Sequence, residues 1–187
     1  MEETKKFELT SDFIINALGK KLFRIKALIS FASVKAGEMG GYVEKEENLS
    51  QYGNAWVSGD AMVCGNARVS GNAEVFGDAM VCGNARVFGN AEVCGNAEVF
   101  GDADYTTIKG FGTAFRCTTF FRCKDGCVRV TCGCFYGTID EFREQVKKTR
   151  SGKIAKEYLM IADLMEMHFE KENVPNESEE QKSMSEM

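Results

Sequence analysis

From Gly53 to about Thr106 the chain repeats one six-residue phrase in which Ala and Val are separated by a single variable residue and followed by Gly with Asn or Asp. Nine copies read in phase, from GNAWVS and GDAMVC through to GNAEVF and GDADYT. Residues two apart on an extended segment point to the same side, so Ala and Val share one face and the residue between them the other. Gly followed by Asn or Asp supplies a corner, because both tolerate backbone angles that β-branched residues resist. A slower period lies above this one: Asp60, Met62, Cys64 and Arg68 return eighteen residues later as Asp78, Met80, Cys82 and Arg86. Three strands and three corners per eighteen residues predict a triangular prism, lined by Ala and Val, whose coils stack at about 4.8 Å.

The flanks follow other periods. Residues from Phe7 to about Phe31 alternate in two runs around Asn16 to Gly19, which predicts a β-hairpin covering the open strand edges at the start of the stack. Glu47 to Tyr52 reads as a degenerate phrase in which Leu49 stands in the Ala place. After the repeats, TTFFRCKDGCVRVTCGCF predicts a second hairpin turning at Asp125 and Gly126. Thr138 with Glu141 has the spacing of a capping box, and Ile139, Phe142 and Val146 share a helical face. Beyond Gly152, Ile154, Tyr158, Ile161, Met165 and Phe169 predict a second helix, and the two helices are expected to fold over the C-terminal end of the prism. The fold class is therefore mainly β. Its units are a β cap and lead-in over 1–46, the prism over 47–106, a hairpin with helices over 107–171, and an acidic, Ser-rich disordered tail over 172–187.

Composition narrows the function classes. The 187 residues carry a net charge of −5 and 44% apolar residues, which argues against nucleic acid as a partner. Lys20, Lys21, Arg24 and Lys26 alternate with apolar residues as a solvated strand face would. The charged start MEETKK and the absence of an eighteen-residue apolar run predict a cytoplasmic protein with no membrane partner. In that compartment the eight cysteines are expected as reduced thiols acting as small hydrophobes. Cys117, Cys123, Cys127, Cys132 and Cys134 would need cross-strand convergence to hold zinc, so no metal and no cofactor is expected. Asp60, Asp78 and Asp102 read as corners rather than calcium ligands.

Taken in order, KKLFRIKAL, GEMGGYVEKEENLSQYGNAWV, the repeats, TTFFRCKDGCVRVTCGCFYGTIDEF and EYLMIADLM resemble a group of bacteriophage and prophage hexapeptide-repeat proteins. The resemblance covers nearly everything except the acidic tail. It implies a left-handed parallel β-helix of about three coils, packed as a homotrimer. Many members have His-Gly-Asp after the first C-terminal helix, where this chain has Arg150, Ser151 and Gly152.

Hexapeptide acyltransferases place a catalytic His on the prism to deprotonate an acceptor. The one histidine here is His168, on the second helix, so no catalytic residue is assigned. Eighteen-residue stacking instead gives outward ladders. Trp56 leads Glu74 and Glu92 on one face, Met62 and Met80 precede Glu98 on the second, and Arg68 and Arg86 precede Asp104 on the third. With Cys64, Cys82 and Phe100, the second face is apolar over much of its height, and Met62, Met80, Cys64, Cys82 and Phe100 are expected to meet a partner prism. Arg68 and Arg86, with Trp56, are the candidates for holding a phosphate or carboxylate. The ladders thus predict a non-enzymatic binding protein that holds a partner or a small anionic ligand, and the phage resemblance implies a nucleotide or a host protein as what is bound. Acyl transfer and structural assembly are the alternatives.

Overall fold

The computed structural model describes residues 5–170, so the acidic tail expected over 172–187 lies outside the described residues. Strands β1 (Phe7–Ile15) and β2 (Lys21–Ala27) form the expected hairpin. Its turn is closed by Asn16, whose Oδ1 accepts from the backbone N–H groups of Leu18 and Lys20. Strand β3 (Met39–Val43) joins β2 to the prism.

The prism walls are eight two-residue strands: β4 (Trp56–Val57), β5 (Met62–Val63), β6 (Arg68–Val69), β7 (Glu74–Val75), β8 (Met80–Val81), β9 (Arg86–Val87), β10 (Glu92–Val93) and β11 (Glu98–Val99). They pair in parallel eighteen residues apart, Met62 with Met80, Arg68 with Arg86, and Glu74 with Glu92. One wall is β3-β5-β8-β11, the second β4-β7-β10 and the third β6-β9. This makes a parallel β-helix of about three turns. Inward Ala and Val from Ala55 to Val99 are fully buried. At the corners, side-chain amides stack into ladders, Asn54 to Asn72 to Asn90 and Asn66 to Asn84, at 3.0–3.2 Å.

Backbone N–H groups of each coil donate to carbonyls of the next, as Trp56 N to Ala73 O and Met62 N to Ala79 O. The first coil therefore presents carbonyls to the outside and the last presents N–H groups, and buried backbone groups need partners. Each end is capped by groups of matching kind. At the first coil, backbone N–H groups of Tyr42, Glu44 and Ser50 donate to Ala61, Val63 and Val69, and the fully buried Asn48 amide donates to Gly65 O and Ala67 O. Lys6, 2% exposed, aims its ammonium at Ala55 O, 2.8 Å away. At the last coil, Asp102 accepts from Arg86 N, Thr119 from Glu92 N, and Asp104 from both Phe100 N and Gly101 N.

The C-terminal unit is a four-stranded antiparallel sheet, β12 (Tyr105–Phe111), β13 (Arg116–Arg122), β14 (Val128–Cys132) and β15 (Phe135–Thr138), followed by α1 (Ile139–Thr149) and α2 (Gly152–Phe169). The capping box forms: Thr138 Oγ1 accepts from Glu141 N, and Glu141 Oε2 accepts from Thr138 N. Phe121 and Cys123 pack into the prism core, while Phe120 and Val130, on the other side of the sheet, pack under the helices.

Four expectations are corrected. The helices do not close the prism; the sheet does, and the helices cover the sheet's outer side, because β13 carries apolar residues on both faces. The ninth phrase leaves the prism: Asp102–Asp104 makes a 3-10 turn whose carboxylates cap the last coil, and Tyr105, too large for the Val place, opens β12. Leu49 stacks on Val69, so it fills the Val place rather than the Ala place, and Asn48 plugs the coil end. Cys64 and Cys82 are joined in a disulfide rather than held as free thiols, since stacking sets their Cα atoms 4.7 Å apart, within bonding range.

Candidate functional site

A cleft lies in the C-terminal unit, where the edge of the sheet, the end of α1 and the first turns of α2 meet. Its volume is about 380 Å³, and Arg116, Cys132, Cys134, Tyr136, Gln145, Thr149, Arg150 and Tyr158 line it with Phe135, Phe142 and Val146. β13 brings Arg116 to the β14–β15 turn. Gly133 at that turn has φ +63°, and a Cβ there would fall 2.2 Å from Arg116 Nη1, so glycine leaves the room in which the guanidinium lies. Arg150 follows α1 directly: its N–H donates to Val146 O and its guanidinium to Thr149 O.

The apolar wall is aromatic. Phe142 stands at the centre, edge-on to Phe120 and Tyr158 with centroids 6.2 and 5.8 Å away, and tilted against Phe135 at 5.4 Å. Tyr158 Oη donates to Phe111 O at 3.2 Å, and Thr118 Oγ1 donates to Cys132 Sγ at 3.2 Å. Burial pushes the Tyr158 and Tyr136 phenols above their ordinary range, so both are neutral hydrogen-bonding groups at physiological pH, as an unperturbed phenol also is.

The charged groups of the lining itself are all cationic, and the carboxylate that acts on Arg116, Glu92, lies outside it. The lining contains two guanidinium groups and no carboxylate, and among the described residues neither Arg116 nor Arg150 forms an ion pair. The carbonyl end of α1 contributes roughly half a negative charge, which two full cations outweigh. Phe142 and Tyr158 are themselves buried, so the aromatic groups that a flat ring could meet are Phe135 and Tyr136, and an anionic group could take paired guanidinium hydrogen bonds beside them.

The residues singled out from sequence lie elsewhere and apart. Arg68 and Arg86 stack on the third wall, exposed. Arg68 also borders two shallow hollows of about 540 and 390 Å³, in which Glu46, Glu47 and Lys45 mix the charge. Trp56 lies on another wall, 5% exposed, edge-on to Phe31 at 5.5 Å, and the structure does not bring it to the arginines. Cys64 and Cys82 are buried beneath Leu22 of the hairpin, with Met62 and Met80 half-buried beside them, whereas Phe100 on the last rung is 44% exposed. The chain's own hairpin thus covers much of the apolar wall. Among the described residues no three of His, Cys, Asp or Glu are placed to hold a metal ion, and no helix is long and apolar enough to cross a membrane.

Sequence reasoning missed the cleft because three separated segments make it. Arg116 and Tyr158 belong to alternating or helical patterns that read as ordinary surface or core, and only Arg150 stood out, where the chain departs from the pattern it resembles. The chain matches no protein-family model and no curated protein.

Proposed function

We propose that this protein works by binding rather than catalysis, holding a small anionic ligand with a flat ring in the cleft between the C-terminal sheet and α1. A nucleotide is the class that has both parts. The observation that carries this reading is the convergence of Arg116 and Arg150 on an aromatic-walled cleft without a carboxylate. The volume, about 380 Å³, is within the range of small-ligand sites. Gln145, Thr149 and the two neutral phenols add hydrogen-bonding groups that can orient such a ligand. The only imidazole, His168, is exposed on α2 and outside the cleft lining, which favours retention of the ligand over acyl transfer. The resemblance to phage proteins favours sequestration of a host nucleotide as the purpose.

Calorimetric titration tests this with adenosine monophosphate, adenosine and inorganic phosphate as probes. The nucleotide is expected to bind more tightly than either part. Arg116→Ala and Arg150→Ala are each expected to weaken it by about 1.5–3 kcal/mol, the worth of a hydrogen bond to a charged group. Arg68→Ala should leave it unchanged. Wild-type affinity in either cleft variant, or loss in Arg68→Ala, would overturn the assignment.

A further inference from the structure

Helix α2 is apolar on two opposite sides. Tyr158, Ile161, Ala162, Met165 and Phe169 face the sheet and are buried. At 100° per residue, Met160, Leu164 and Met167 form a second stripe on the far side of the helix, and they are 70, 48 and 63% exposed. A helix whose polar side should face water instead presents a seam at the i, i+4, i+7 spacing that a facing helix fills.

The charges along α2 say what fits it. Lys153 and Lys156 lie in its first turns, whereas Asp163, Glu166 and Glu170 lie towards its end. Lys153 is held by Glu157 at 3.5 Å, and Arg143 of α1 engages both Asp163 and Glu166. Among the described residues, Lys156 and Glu170 form no ion pair. Lys156, Asp163 and Glu170 are spaced by sevens and so share one flank of the seam.

We propose that α2 is a self-association surface that pairs antiparallel with α2 of a second copy of this chain. A twofold axis between positions 163 and 164 sets Met160 against Met167 of the second copy and brings Leu164 beside its own equivalent, offset by about one 1.5 Å residue rise; the two Asp163 carboxylates, each held by an Arg143, also come near one another there. The same axis brings Lys156 within reach of Glu170 of the second copy. Antiparallel helix dipoles add to the match, whereas a parallel pair would stack the acidic ends on one another. One helical seam buries less than the roughly 1,000 Å² of a stable interface, so the association is weak and concentration-dependent. It stands apart from the ligand assignment, since the seam faces away from the sheet.

Sedimentation equilibrium over a concentration series, on the full chain, tests this directly. The wild type is expected to rise towards twice the mass of Leu164→Glu at the same concentration, with circular dichroism confirming that the variant, altered at an exposed position, keeps its fold. Lys156→Glu and Glu170→Lys should each raise the dissociation constant about two- to thirtyfold, the effect of two symmetry-related exposed ion pairs, and combining them should restore it. Equal masses for wild type and Leu164→Glu would overturn the surface. A double variant weaker than both single ones would overturn the antiparallel pairing.

Discussion

Two effects act on Lys6 in opposite directions. The carbonyls of Ala55 and Gly53 favour its ammonium form, while burial lowers its pKa from the ordinary 10.5 to about 8. Between about pH 8 and 10.5 the unfolded chain therefore binds more protons at this site than the folded one, and stability gained from Lys6 rises with pH. Urea unfolding of the wild type and Lys6→Met should show the difference in stability moving in favour of the wild type from pH 8 to pH 10; a constant difference would contradict the burial. Glycine at the corners gives a second test. Gly77 and Gly89 have φ +75° and +73°, but a Cβ on Gly77 would meet Gly95 N at 3.0 Å while one on Gly89 would meet nothing within 4 Å. Gly89→Ala should cost about 1 kcal/mol for the left-handed backbone alone, and Gly77→Ala about twice that, compared by unfolding midpoints.

At the scale of elements, what the sequence could show depended on how local the cause was. The Ala and Val of each phrase, the turn at Asn16, the hairpin at Asp125 and the capping box at Thr138 are all set within a few residues, and each forms where the pattern puts it. Leu49 and the phrase from Gly101 to Thr106 depart from the pattern because they keep the spacing of the repeat while a large or charged side chain makes the end of the stack. The cleft was not legible for the same reason in stronger form: Arg116, Gly133 and Arg150 meet only once β13, the β14–β15 turn and α1 have packed. Two elements carry predictions. Thr138→Ala removes the acceptor for Glu141 N and should lower stability by about 1 kcal/mol in thermal or urea unfolding. Asp104→Ala removes the shared acceptor of Phe100 N and Gly101 N, so hydrogen exchange should quicken at the last coil and stay unchanged at the first, as expected when each coil contacts only its neighbours. Uniform quickening along the stack would show that the coils open together.

Over the whole molecule, the β-helix is a spine with two different ends. Carbonyls at one end are met by amide and ammonium donors, and N–H groups at the other by carboxylates and a hydroxyl. The C-terminal sheet turns one side to this end and the other to the helices, so the cleft rests on a platform anchored through Phe121 and Cys123 in the prism core. The proposal that the cleft holds a ligand is favoured by such a support, because a preformed site avoids the cost of ordering it on binding. Native mass spectrometry of protein purified from expressing cells tests that claim most directly. A small anionic, ring-containing molecule should accompany the wild type, leave on denaturation and be missing from the variant carrying both Arg116→Ala and Arg150→Ala. The same molecule retained by that double variant, or none carried by the wild type, would contradict the account.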